Sequence, residues 1–302
     1  MLVENQPNVH SYHFELKSIN DTLKVLLIPD IHFDNPKCRR DILKKDLDEA
    51  MKIGARIIIP GDLFCLMQGS YDPRKSKGDI LPQHNVDGYL DAVIEEAVEW
   101  FAPYAENIDV VGYGNHETNI LKRMETNVIE RFVTLLNHTA NPKSKVCTGG
   151  YGGWYIVKAA YFKTCKISYN IKYFHGSGGG APVTKGTIQH NRMATYVQNA
   201  DAIVMGHVHN DYEVTYTAEV YDASNSRIIS KQILMIRAGS YKDEYFNLKG
   251  GAHSAGWHVE RGGPPKPIGG RWLELNYSRV RNKNNNTRPL KVIARSYRTI
   301  ND

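Results

Sequence analysis

Ala202-Ile203-Val204-Met205-Gly206-His207-Val208-His209 sets a short apolar run against a glycine and two imidazoles one residue apart. The first four residues read as a buried strand that the glycine ends. Packing alone rarely places two histidines at that spacing after a strand, so the pair reads as ligands rather than as core.

The same arrangement recurs toward the N-terminus. Residues 23–28, 56–60, 109–112 and 171–174 each read as a short buried strand, apolar and rich in β-branched side chains. Polar groups follow each one: Asp30 and His32, then Asp62, then Asn115-His116-Glu117, then His175. Helical patterns fill the intervals at 36–53, 85–101, 117–136 and 185–198. Alternating strands and helices predict an α/β core. The polar groups then gather at strand C-terminal ends, where ligands bind in open α/β sheets.

The donor types narrow the chemistry. Carboxylate, imidazole and amide oxygen suit Mn²⁺, Fe, Zn²⁺, Ni²⁺ or Co²⁺, and no thiolate biases the set toward a soft metal. Two metals roughly 3.5–4 Å apart need about seven or eight protein donors, one of them bridging. Asp30, His32, Asp62, Asn115, His175, His207 and His209 supply seven. Taken singly, an aspartate after a strand is an ordinary cap or turn residue. Order and spacing together point to a two-metal hydrolase.

The chain resembles the calcineurin-like metallophosphoesterase superfamily, whose pattern runs D-x-H, G-D, G-N-H-[E/D], H and G-H-x-H. All five elements occur in that order between residues 23 and 209. The resemblance implies a four-layer αββα sandwich of two mixed β-sheets flanked by helices, with a dimetal site at strand C-terminal ends. It implies one ion on Asp30, His32, Asp62 and His209, and another on Asp62, Asn115, His175 and His207. Two divalent ions are the implied cofactors, Mn²⁺ foremost. His116 falls on the position of the general acid. The implied mechanism is hydrolysis of a phosphate ester by a metal-bridging hydroxide whose pKa drops from 15.7 toward about 7. Glu117 is placed either to orient His116 or to cap the helix beginning beside it.

Two departures bear on the branch. Many members read G-D-x-x-D, but Gly61-Asp62-Leu63-Phe64-Cys65 ends in cysteine, so His116 must take its orientation from elsewhere. Protein serine/threonine phosphatases carry arginine before G-N-H-E, whereas this chain has Tyr113. That subfamily is therefore not expected, and the chain instead resembles the phage and repair-nuclease-like branch.

A chain of 302 residues with 41% apolar content can bury one sizeable core. The expected organisation is a catalytic domain over 1–260 and a basic C-terminal extension over 261–302, packed on the core or trailing from it. The extension holds ten Lys or Arg against Glu274 and Asp302, a net of +8, which leaves about −2 of the chain's +6 for residues 1–260. Such a segment can neutralise phosphates of a nucleic acid, with Trp272, Tyr277 and Tyr297 available for base stacking. Residues 271–277 also alternate like an ordinary strand. Without an apolar run of about eighteen residues or a signal-peptide pattern, the expectation is a soluble, cytoplasmic protein and no membrane partner. Cys38, Cys65, Cys147 and Cys165 lack C-x-x-C spacing and read as reduced thiols.

The loops add candidates. Gly176-Ser177-Gly178-Gly179-Gly180 lets the backbone pass close to the presumed metals. His190, Asn191 and Arg192 are candidates to face substrate. Residues 66–85 form a long polar connection, 212–237 a long hairpin, and 262–270 a loop or lid. The favoured function is a two-metal phosphodiesterase or nuclease acting on a phosphate-ester substrate. A phosphomonoesterase or small cyclic-nucleotide hydrolase is the second reading, and a non-catalytic binding scaffold the third.

Overall fold

The computed structural model describes residues 2–67, 77–162, 165–181, 183–245, 257–260, 262–279 and 289–299. It is an α/β protein with two mixed sheets. Its strands are β1 (Leu2–Gln6), β2 (Val9–Leu16), β3 (Thr22–Leu27), β4 (Arg56–Ile59), β5 (Ile108–Val111), β6 (Cys147–Thr148) and β7 (Gly152–Tyr161). They continue with β8 (Cys165–Phe174), β9 (Ala202–Met205), β10 (Tyr212–Asp222), β11 (Arg227–Arg237), β12 (Arg271–Arg279) and β13 (Leu290–Arg298). The main helices are α1 (Arg40–Ile53), α2 (Tyr89–Phe101), α3 (Asn115–Met124), α4 (Val128–Ala140) and α5 (Thr187–Tyr196).

The seven-stranded sheet runs β1-β2-β7-β8-β9-β11-β10, and the six-stranded sheet runs β13-β12-β3-β4-β5-β6. Strands β3, β4, β5 and β6 run parallel to one another, as do β8, β9 and β11. Parallel strands with both faces covered are continuously apolar rather than alternating. Accordingly Arg56–Ile59, Ile108–Val111 and Ala202–Met205 are buried at every position.

Three apolar clusters show what each sheet face touches. Val25, Leu27, Ile58, Leu273 and Leu275 of the smaller sheet meet Tyr155, Val157, Ile171, Val204 and Ile236 of the larger. On the smaller sheet's other side, Leu26, Ile57, Ile59 and Val111 pack against Leu43, Leu47, Val93, Ala97, Ile120 and Phe132 of α1 to α4. On the larger sheet's other side, Ile203 and Met205 pack against Met193 of α5.

Several expected elements shift. The pattern over 36–53 becomes helical only at Arg40, because Asn35 first turns the chain by accepting from Lys37 N at 2.9 Å. The helix ends on Gly54 in the left-handed conformation. The single helix expected over 117–136 is two: Glu125 adopts φ 50°, and the Asn127 side chain caps α4 by accepting from Glu130 N. Strand β12 lies between β13 and β3, so the segment expected as an extension supplies an interior strand of the six-stranded sheet. Its alternation drives this: Leu273, Leu275 and Tyr277 fill the core between the sheets. Much of the polar connection over 66–85 lies outside the described residues, as do Arg261, Arg281, Lys283 and Arg288 of the basic segment. The hairpin over 212–237 forms as β10 and β11. Among the described residues no helix is long and apolar enough to cross a membrane.

Candidate metal centre

Both sheets deliver polar groups from the C-terminal ends of strands to one place. Asp30 and His32 follow β3, Asp62 follows β4, and Asn115 and His116 open α3 after β5. His175 follows β8, and His207 and His209 follow β9. Asp30, His32, Asp62, His207 and His209 all hold positive φ, between 50° and 74°. Such backbone is costly for residues other than glycine and persists where surrounding structure enforces it, commonly at functional sites. Here Asp30 N bonds Gly61 O, His32 N bonds Asp62 O and Tyr241 N bonds Asp30 O, which locks the turns to one another. Two glycines make room for the carboxylates: a Cβ on Gly114 would collide with Asp62 Oδ1, and one on Gly206 with Asp30 Oδ2.

The side chains form two adjoining groups, Asp30, His32 and His209 in one and Asp62, His175 and His207 in the other. In the first, His32 Nε2 lies 3.3 Å from His209 Nε2, and His209 Nε2 lies 3.5 Å from Asp30 Oδ1. In the second, His175 Nε2 lies 3.2 Å from Asp62 Oδ2 and 3.1 Å from Asn115 Oδ1, which is 2.8 Å from His207 Nδ1. Gly178 O stands 2.9 Å from His207 Nε2 and so assigns that nitrogen as the donor, leaving Nδ1 as a lone pair facing another acceptor. Asp30 Oδ1 is buried with no hydrogen-bond partner. Facing acceptors and an orphaned carboxylate oxygen are costly as they stand. A divalent cation in each group would satisfy them, so the donor set fits two such ions.

Surrounding groups hold these donors. Glu244 Oε2 lies 3.2 Å from His209 Nδ1 and assigns the proton there, which turns Nε2 inward. Lys242 sits 3.4 Å from the other Glu244 oxygen and 3.8 Å from Cys65 Sγ. Glu117 is buried and accepts from Asp62 N at 3.2 Å, Phe64 N at 2.9 Å and Gly114 N at 2.8 Å. It therefore caps α3 and ties the Asp62 turn to it. His116 takes its orientation from the Cys65 backbone carbonyl, which accepts from its Nδ1. His116 Nε2 then lies 3.8 Å from Asp62 Oδ2, with its ring 4.8 Å from that of His32. The Cys65 turn is itself fixed by Asp34, whose carboxylate accepts from Cys65 N and Leu66 N.

Charge is unevenly spread through this buried cluster. Burial works to lower His175 and His209, but Asp62 beside the first and Glu244 beside the second reverse it and hold both at about 9. Burial would raise Asp62, yet His175 and His116 keep it well below the usual carboxylate range. Burial, aided by Asp62, lifts Glu117 to about 8, and burial drives His32 and His207 down.

All seven donors read from the sequence, with His116, converge here. His190 does not: it is buried on α5 with Nδ1 3.0 Å from Tyr212 OH, while Asn191 and Arg192 are exposed. The glycine-rich loop does approach the centre, through Gly178 O and through Gly176 packed against His207. Lys242, Glu244 and Asp34 are the functional groups that sequence reasoning missed. They lie outside every motif, and only the unusual polarity of Lys242-Asp243-Glu244 just after strand β11 marks two of them.

No protein-family model matches the chain, and no curated protein matches it. Among solved structures, it is similar to a Thermotoga maritima protein determined by solution NMR, at 12% identity and a TM-score of 0.27 over 89% of this chain and 98% of that one. It is also similar to GAP50, described as the anchor in the inner membrane complex of Plasmodium, at 12% identity and a TM-score of 0.38 over 92% of this chain and 88% of that one. At these scores neither likeness bears on what the chain does.

Proposed function

We propose that this chain is a two-metal phosphoesterase of the calcineurin-like kind, built as a four-layer αββα sandwich and acting on phosphodiester bonds as a phosphodiesterase or nuclease. The observation that carries this reading is the pairing of two three-donor groups, Asp30, His32, His209 and Asp62, His175, His207, with His116 beside both. Asn115 completes the second group. Mn²⁺ is the first choice of metal, with Fe, Zn²⁺, Ni²⁺ or Co²⁺ also suited to the donors. When bound, two such ions supply charge neutralisation at phosphorus and an activated water.

The chain's own residues then do the rest. The Cys65 carbonyl fixes the His116 ring with Nδ1 protonated, so Nε2 is the nitrogen that exchanges a proton. A proton on Nε2 is stabilised by Asp62 at 3.8 Å and can pass to the leaving oxygen. Glu244 and Glu117 keep His209 and the Asp62 turn from moving while this happens.

A small phosphate ester is the second reading, favoured by how the basic segment is engaged. Arg271 is paired with Asp211 at 2.6 Å and Glu213 at 3.3 Å, and Lys266 donates to Val208 O. Hydrolysis of bis-p-nitrophenyl phosphate, p-nitrophenyl phosphate and a single-stranded oligonucleotide, with metal-stripped protein and with added Mn²⁺, separates the readings. Mn²⁺-dependent diester cleavage that His116→Ala abolishes supports the proposal, and inertness toward all three with two ions bound argues against it.

A further inference from the structure

The N-terminal hairpin and the edge of the other sheet bring together three groups that the centre above does not use. Glu4 on β1 and His10 on β2 are direct cross-strand partners, with His10 Nε2 3.9 Å from Glu4 Oε1. Cys147 opens the edge strand β6, in register with Val110 of the core between the sheets. One ligand atom from each of Glu4, His10 and Cys147 lies within 4.8 Å of the other two.

His10 is what makes this more than proximity. It is 0% exposed, and neither ring nitrogen has a hydrogen-bond partner. A buried imidazole without partners is costly unless something supplies them. Burial keeps its pKa below the ordinary value against the pull of Glu4 and Asp109, so at neutral pH the ring offers a lone pair. Burial also pushes the Cys147 thiol up to about 11, helped by Glu4 and Asp109. The thiol therefore keeps its proton unless a cation displaces it.

We propose that Glu4, His10 and Cys147 form a zinc site of their own, separate from the two-metal centre, which pins the β1–β2 hairpin to β6 across the two sheets. Thiolate, imidazole and carboxylate are the usual zinc donors, and bonds of about 2.0–2.3 Å place tetrahedral ligands roughly 3.3–3.8 Å apart, close to the 3.9 Å between His10 and Glu4. Glu4 is half exposed, so water completes the fourth position. On binding, the sulfur–zinc bond replaces the S–H bond, and the proton leaves to solvent.

The test uses the full chain freed of metal by chelation and titrated with Co²⁺, whose thiolate complexes show a charge-transfer band in the near ultraviolet. The expected result is a band that Zn²⁺ bleaches, that Cys147→Ser abolishes and that Cys65→Ser retains, with folding of each variant checked by circular dichroism. Glu4→Gln, on an accessible side chain, should raise the Co²⁺ concentration needed for half of the band. A band that survives in Cys147→Ser, saturating Co²⁺ that gives no band, or a half-saturation unmoved by Glu4→Gln would each overturn the proposal.

Discussion

The His116 imidazole hangs on a backbone group, its Nδ1 donating to the carbonyl oxygen of Cys65. A side-chain carboxylate is thus not needed at position 65 to orient the ring. Replacing the thiol by Cys65→Ala should leave turnover near that of the parent, because the carbonyl and the Asp34 bonds to Cys65 N and Leu66 N remain. His116→Ala should slow turnover by about a hundredfold or more, the range for losing a general acid, with metal content unchanged. Metal analysis beside steady-state rates checks both, and metal lost with His116→Ala would make that residue a ligand instead.

In the proposed centre Asp62 is the donor that both ions share. Its carboxylate faces His175 and His116, and its backbone N–H is held by Glu117. Asp62→Asn should therefore strip both ions, not one. Elemental analysis after dialysis reads this directly, and retention of a full complement would remove Asp62 from the bridging role.

Glu244 acts through His209. Replacing it by glutamine keeps the shape but removes the charge that assigns the proton to Nδ1. Losing such an outer partner typically costs 10–100-fold in metal affinity, so Glu244→Gln should weaken binding by about that much. Isothermal titration with Mn²⁺ measures it, with circular dichroism showing that the stripped variant is still folded.

The sequence carried the donors well because each sits directly after an apolar strand, where spacing along the chain becomes proximity in space. Asp30, Asp62, His175 and His207 are examples. It carried their supports poorly, because Glu244 and His209 meet across a separation of 35 residues that no local pattern encodes. The helix break at Glu125 was legible only through the capping asparagine at 127. The alternation of residues 271–277 did signal a strand, but its place beside β3 depends on the apolar face offered by Leu23, Val25 and Leu27.

The stripped protein should become less stable as pH rises from about 6.5 to 9. His175 and His209 have folded pKa values raised from 6.5 to about 9. A raised value means that the folded state binds more protons, so the stabilisation is full below the unfolded pKa and vanishes as pH climbs through the folded one. Glu117, raised from 4.5 to about 8, acts in the same direction. Metal binding has the opposite dependence, since imidazole must be neutral to ligate. Melting temperatures across this range should fall for stripped protein and flatten with Mn²⁺ present; a rise without metal would contradict the assignment.

Strand β13 decides between a polynucleotide and a small ester. Removing everything after residue 260 cannot test this, because β12 lies inside the six-stranded sheet and would go with it. Lys291, Arg295 and Arg298 are exposed on β13, whereas Arg271 is spent on Asp211 and Glu213. Each cation that meets a phosphate contributes about one to the slope of log affinity against log salt. On single-stranded DNA, where each contact is worth about 0.7, changing Lys291, Arg295 and Arg298 together to glutamine should lower that slope by up to about two. Hydrolysis of bis-p-nitrophenyl phosphate should stay as it was, because these side chains lie on the edge strand and none belongs to the donor groups. An unchanged slope would leave the basic strand to solubility and move the substrate toward a small phosphate ester.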